Sequence, residues 1–129
     1  MRISFLVLLL FIFPFLAACA DAGSQDPQSE PASATISLVT NPNPAKVGDV
    51  ELRFSVTDAK GQPLTGADFD VFADHTDMSG MTMHGKATEQ GNGVYSITAN
   101  FGMSGNWKLS VEVKKGDLDY KQDIELKIQ

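Results

Sequence analysis

From residue 35 to the C-terminus, apolar and polar residues alternate along short segments, and turn-forming residues separate these segments. The clearest segment is 50–57, in which Val50, Leu52, Phe54 and Val56 fall on one face. Successive side chains of a strand point to opposite faces, so this period predicts half-buried strands. We predict strands at 36–39, 50–57, 67–73, 81–88, 94–99, 107–113 and 120–128.

About seven short strands with regular turns, such as 58–63, 91–93 and 115–117, define the expected fold class. No stretch shows a helical period. We therefore predict an all-β domain, an immunoglobulin-like antiparallel β-sandwich. The two cysteines that flank a tryptophan in antibody domains are missing, and a small β-barrel is the alternative fold.

The first 18 residues are typical of a secretory signal peptide. Arg2 is their only charged residue, and residues 3–16 are almost wholly apolar. Residues 16–19, Leu-Ala-Ala-Cys, resemble the lipobox of bacterial lipoproteins, in which the cysteine thiol carries a diacylglycerol. We predict a signal peptide at 1–18 and lipidation of Cys19, which would anchor the protein to a cell membrane or outer membrane, facing the periplasm or exterior.

The alternative for this segment is an uncleaved transmembrane helix, because its uncharged length is close to the roughly 20 residues that a span needs. Pro14 lies inside the segment and would kink such a helix. Both interpretations attach the same domain to the same side of a membrane.

Residues 19–34 are predicted to form a flexible tether, followed by the β-domain at 35–129. The stretch is polar, contains Pro27 and Pro31, and has no aromatic or large aliphatic residue. Such a composition cannot bury enough apolar area to offset the entropy of an ordered chain.

Cys19 is the only cysteine of the chain. The domain is therefore expected to have no disulfide and to depend on its hydrophobic core. Zinc, iron–sulfur and blue-copper sites that need a thiolate are excluded from it. Without Arg2, nine basic residues stand against sixteen acidic ones, a net charge of −7, which argues against nucleic acid as a partner.

The methionines and histidines that follow the signal peptide are concentrated in two short runs. Residues 74–85 hold both histidines and three methionines, and the fourth methionine lies in 101–107. Thioethers are soft, uncharged ligands that suit Cu(I), and imidazole binds copper in both oxidation states. The predicted metal ligands for copper, most favourably Cu(I), are Met78, Met81, Met83 and Met103, with assistance from His75 and His84.

The spacing of these residues makes two geometric predictions. Met81 and Met83 share one face of a strand, and His84 points to the opposite face. Met103 completes the site if its turn lies at the same end of the sandwich as residues 75–80.

Two simpler interpretations compete with a copper site. Methionine is a common filler of hydrophobic cores, and a methionine-lined patch also suits a protein partner. Asp74 and Asp77 add oxygen atoms to the same run, but we expect them to cap the loop rather than bind metal.

The sequence resembles the YtkA-like family, which is close to the FixH-like proteins. The segments that carry the resemblance are spread between residues 41 and 113. They are 43–48, 56–67, the methionine-rich run 78–83, 91–95 and 101–107.

The resemblance implies an immunoglobulin-like sandwich on a membrane-attached protein. FixH-like proteins are associated with copper delivery during cytochrome oxidase assembly, whereas YtkA-like domains mostly lack an assigned activity. FixH-like proteins keep an N-terminal transmembrane helix where this chain has Cys19, so the methionine-rich run is the feature that carries over.

We expect no enzymatic activity, because no nucleophile–base pair, phosphate-binding loop or carboxylate pair stands out. The favoured function is a copper-binding lipoprotein that carries or buffers the ion and passes it to an acceptor. The alternative is an adaptor that binds another envelope protein through its methionine-lined end or a free strand edge.

Overall fold

The computed structural model describes residues 33–129, which form eight β-strands and no helix. The strands are β1 (Ala34–Asn41), β2 (Gly48–Asp58), β3 (Asp68–His75), β4 (Thr82–Lys86), β5 (Thr88–Gly91), β6 (Val94–Phe101), β7 (Gly105–Lys115) and β8 (Leu118–Ile128). The predicted signal peptide, the lipidation at Cys19 and all but the last two residues of the predicted tether lie outside the described residues. β1 begins at Ala34, one residue before the predicted start of the domain. Within residues 33–129, no helix has the length and apolar character that a membrane crossing requires.

The strands form two antiparallel sheets of four, with the orders β1-β2-β6-β5 and β4-β3-β7-β8. In immunoglobulin constant domains the sheets have the orders A-B-E-D and C-F-G. The first sheet here reproduces A-B-E-D, and the second reproduces C-F-G with one further strand beside C. This topology confirms the predicted immunoglobulin-like β-sandwich.

The strand count differs from the prediction because one expected strand is divided between the two sheets. Residues 81–88 were expected to form a single strand, but β4 ends at Lys86 in one sheet and β5 begins at Thr88 in the other. The chain crosses at Ala87, whose N–H donates to the carbonyl of Phe69 at 2.9 Å.

The core consists of the facing sides of the two sheets. Val50, Leu52, Phe54 and Val56 of β2 are all buried, as their alternation predicts. The ring of Phe54 lies 4.8 Å from that of Phe69 in the opposite sheet, centroid to centroid. Each such side chain contributes about 1.5–3 kcal/mol on burial, and this core stabilises a domain that has no disulfide.

Tyr95 joins this core to the connection between β2 and β3. Its ring stacks on Phe69 at 5.2 Å. Its hydroxyl donates to the carbonyl of Leu64 at 2.8 Å and accepts from the N–H of Ala67 at 3.1 Å. Desolvation raises the pKa of Tyr95, opposed by the hydrogen bond from Ala67 and reinforced by the negative charge of Glu89.

We expect Tyr95→Phe to lower the free energy of unfolding by about 1–3 kcal/mol, because it leaves two backbone groups without partners. The raised pKa favours the neutral phenol in the folded state, so its contribution is complete below pH 10 and is lost as the pH rises further. Urea titrations between pH 7 and 11 test both effects. Tyr120→Phe is the control, because within residues 33–129 that hydroxyl makes a single long hydrogen bond, to Gln122 at 3.4 Å. Equal stability of the two variants at pH 7 would contradict the role given to Tyr95.

Candidate functional site

Two loops lie side by side at one end of the sandwich, and we call this region the methionine end. Loop 76–81 joins β3 to β4, and loop 102–104 joins β6 to β7. They meet because β3 and β7 pair with His75 opposite Trp107. Met103 therefore lies at the same end as Met78 and Met81, which was the condition for its inclusion in the site.

Hydrogen bonds tie the first of these loops to the start of β7. The N–H and the hydroxyl of Thr76 both donate to the carbonyl of Asn106, each at 2.9 Å. The N–H of Asn106 donates to the carboxylate of Asp77 at 3.3 Å. Asp77 thus accepts from the backbone, the capping role expected from its sequence position.

The second loop is held by Trp107. Its indole Nε1–H donates to the carbonyl of Met103 at 3.2 Å, and its ring meets Phe101 edge-on at 5.0 Å. Trp107 is itself buried. The backbone on both sides of Met103 is therefore connected to the core.

Met78 and Met103 expose their side chains, with 44% and 39% of each residue accessible to solvent. Large apolar side chains seldom gain from such exposure, although single exposed ones are common. The two exposed methionines therefore lie on adjoining loops at one end of the domain.

Met81 and Met83 are half-buried and pack against the core. Met83 lies opposite Ala73 and faces inward, as the inward–outward alternation along β4 requires. Met81 precedes the strand, and its carbonyl accepts from the N–H of His75 at 3.0 Å. Met81 belongs to the methionine end, whereas Met83 lies two residues further along β4.

His75 is buried, with 4% of the residue exposed, and both of its ring nitrogens have partners. Nδ1 accepts from the N–H of Asp77 at 3.2 Å, and Nε2 lies 3.0 Å from the carbonyl of Ser104. A backbone N–H can only donate and a carbonyl can only accept, so the proton is assigned to Nε2 of a neutral imidazole. The ring meets Trp107 edge-on at 4.9 Å.

His84 lies on the outer face of β4, away from the inward-facing Met83. It is exposed, and its ring stacks on Phe72 with centroids 4.3 Å apart. Its Nε2 lies 3.5 Å from a carboxylate oxygen of Asp70. The structure therefore separates His84 from the methionines, in the direction that its position on the strand predicts.

A lateral opening between the sheets was not predicted from the sequence. β6 pairs with β5 only from Val94 to Ser96, so the rest of that edge has no partner strand among the described residues. The opening has a volume of about 220 Å³. Its apolar lining consists of Leu52, Val71, Ala73, Met83, Ile97 and Ala99.

The charged side chains whose pKa values depart from their ordinary values, Glu112 and Lys114, lie on the outer face of the second sheet. Lys114 Nζ lies 2.8 Å from a carboxylate oxygen of Glu112, and Lys121 Nζ lies 3.2 Å from the same oxygen. The hydrogen bond from Lys114 lowers the pKa of Glu112 and raises that of Lys114. Because both lysines are exposed to water, which screens their charges, these pairs contribute little to stability.

In the part of the chain from 33 to 129, no three residues of His, Cys, Asp or Glu converge in a way that could hold a metal ion. Thioethers are a separate class of ligand. The donors gathered at the methionine end are Met78, Met81 and Met103.

The model of the YtkA-like family matches residues 28–112, which is about two thirds of the sequence. The chain belongs to the YtkA-like family. The matched region contains β1 to β6, most of β7 and all six predicted ligand residues. No curated protein and no solved structure matches the chain.

Gly105 allows the second loop of this YtkA-like domain to approach His75. A Cβ at Gly105 would lie 2.7 Å from Nε2 of His75 and 3.3 Å from a carboxylate oxygen of Asp77. We expect Gly105→Ala to destabilise the domain by about 1–3 kcal/mol more than Gly48→Ala, because it must displace the imidazole. Gly48 is a matched control with φ of 114° against 129° and open space around its Cβ position. Denaturant unfolding measures the difference, and equal losses would show that the contact with His75 is unimportant.

Proposed function

We propose that this protein is an exported, membrane-anchored lipoprotein that binds copper at the methionine end and carries or buffers it. The observation that carries the proposal is the exposure of Met78 and Met103 on two adjoining loops. Met81 is the last residue of the first loop, directly before β4. Cu(I) accepts neutral thioether ligands, whereas Zn²⁺, Ca²⁺ and Mg²⁺ prefer harder donors.

The exposure of the thioethers suits carriage rather than permanent storage. An ion held near the surface is accessible to an acceptor, and a thioether releases copper more readily than a charged thiolate does. The acceptor would be another protein of the cell envelope or a protein that takes up copper there.

The lipid anchor rests on residues 1–19, where a basic start, an apolar run and Leu-Ala-Ala-Cys occur in order. The domain has no other cysteine, so the thiol of Cys19 has no disulfide partner within the chain. The tether then starts at the lipid and the sandwich starts at β1.

We expect Cys19→Ser to move the protein from the membrane fraction to the soluble exported fraction and to remove the mass of the lipid. Mass spectrometry of the purified wild type and cell fractionation of both forms test this. Retention of the variant in the membrane, with residues 1–18 still attached, would favour the transmembrane helix instead. This outcome leaves the copper proposal intact.

The copper proposal predicts that replacement of Met78, Met81 and Met103 by Leu abolishes retention of one Cu(I) per protein against a competing chelator. Leucine keeps the volume and apolar character of methionine, so the fold should survive with a cost below about 1.5 kcal/mol per site. Met78→Leu with Met103→Leu should weaken binding more than Met81→Leu with Met83→Leu, because the first pair is exposed. A wild-type protein that fails to compete for Cu(I) would overturn the proposal.

The alternative is an adaptor that binds another envelope protein, and the free edge of β6 beside the lateral opening favours it. An extended segment adding to an exposed strand edge can place an apolar side chain in such a pocket. An adaptor would tolerate leucine at the methionine positions and fail when polar residues replace them. The two functions therefore respond in opposite ways to the same set of leucine variants.

A further inference from the structure

His75 was predicted as an assisting metal ligand, but its surroundings favour a different role. The side chain is buried between the two loops of the methionine end. Its two nitrogens contact one loop each, Nδ1 at Asp77 and Nε2 at Ser104. A metal ion bound to either nitrogen would have to break one of these hydrogen bonds.

We propose that His75 is a positioning residue that holds the two methionine-bearing loops together. Because both of its nitrogens are used in hydrogen bonds and do not bind the ion, the site accepts soft monovalent ions, Cu(I) and Ag(I). The inference rests on the proposed copper function and adds the ligand set and the ion class to it. It assigns the binding itself to thioether sulfur.

Each ring nitrogen of His75 contacts a residue that is adjacent in sequence to an exposed methionine. Asp77 precedes Met78, and Ser104 follows Met103. The backbone adds two bonds on the first loop, from His75 N–H to the Met81 carbonyl and from Met78 N–H to the His75 carbonyl at 3.4 Å. The His75 side chain is thus a direct link between the two loops, beside the hydrogen bonds that join Thr76 and Asp77 to Asn106.

The packing around the ring leaves it little freedom to turn toward an ion. Trp107 meets the imidazole edge-on. On another side, the backbone at Gly105 is so close that a methyl group there would clash with Nε2. The imidazole is therefore fixed in the orientation in which both nitrogens are used.

The kind of ion that the methionine end can bind follows from the ligand atoms that are not used in hydrogen bonds. Cu(II) and Zn²⁺ bind imidazole, carboxylate and thiolate ligands well and thioethers poorly. The His75 nitrogens and one carboxylate oxygen of Asp77 are occupied by hydrogen bonds, and His84 lies on the outer face, so thioether sulfur is the main donor left at the methionine end. Cu(I) and Ag(I) share the preference for this soft donor.

Nitrogen NMR of the imidazole and proton–carbon NMR of the methionine methyl groups test the assignment directly. The samples are the metal-free protein and the same protein with one equivalent of Cu(I) or of Ag(I). We expect His75 to be neutral with its proton on Nε2 in all three samples, while the methyl signals of Met78 and Met103 shift. Zn²⁺, which is diamagnetic, should leave both sets of signals in place at the same ratio. Coordination of any of these ions by a His75 nitrogen would overturn the proposal.

The positioning role is tested with His75→Leu, His75→Gln and His84→Leu. We expect His75→Leu to weaken Cu(I) binding by about 10- to 100-fold, the range seen when groups that orient metal ligands are removed. His75→Gln should recover much of this affinity, because its amide both donates and accepts but is a poor copper ligand. His84→Leu, the matched control, should bind like wild type.

The methyl signals of Met78 and Met103 in the metal-free variants distinguish loop positioning from a general loss of fold. In His75→Leu we expect both signals to shift and broaden, while that of Met83 changes little. If His75→Leu is folded and binds Cu(I) as tightly as wild type, the positioning role is wrong although the copper function stands. If wild type binds no Cu(I), the copper function and the ion selectivity fail together, and the metal-free spectra alone then decide the role of His75.

Discussion

β3 and β7 pair over eight residues, from Asp68 opposite Lys114 to His75 opposite Trp107. This register joins segments more than thirty residues apart in sequence and places their loops side by side. A shift of one residue would exchange the inner and outer faces of the strand. His75 and Trp107 would then leave the interior, and the link between the two methionine loops would be lost. The candidate site therefore depends on the same hydrogen-bond ladder that forms the centre of the second sheet.

A domain without cysteine has to obtain both its stability and any soft-metal chemistry from other side chains. The inward faces of β2, β3, β6 and β7 supply the stability through buried aliphatic and aromatic residues. In the proposed copper site, methionine would supply soft donors without the redox reactivity of a free thiol. Met81 and Met83 are half-buried, so part of each side chain packs on the core.

The sequence predicts features that depend on local periodicity and misses those that depend on distant contacts. Alternation identifies the buried face of β2 and places Met83 and His84 on opposite sides of β4. It cannot place the crossing at Ala87, because that depends on a hydrogen bond to Phe69 eighteen residues earlier. His75 is the clearest case: a histidine ligand and a hydrogen-bonded core histidine look the same in sequence. In the structure His75 is buried, and its Nε2 contacts the carbonyl of Ser104, twenty-nine residues away.

The position of β1 bears on how an anchored protein would present its site. Ala34 pairs with Asp58 at the end of β2, whereas Gly48 at its start pairs with Phe101, next to the methionine end. The chain therefore enters the domain at the end opposite the methionines, about 25 Å away for a strand of eight residues. If Cys19 carries a lipid, the anchor is attached to the end of the domain far from the site. The methionine end can then extend away from the bilayer, a geometry suited to exchange with an acceptor that also projects from the membrane or moves freely beside it. A site that exchanged copper with a partner embedded in the bilayer would be better served by a tether at the other end.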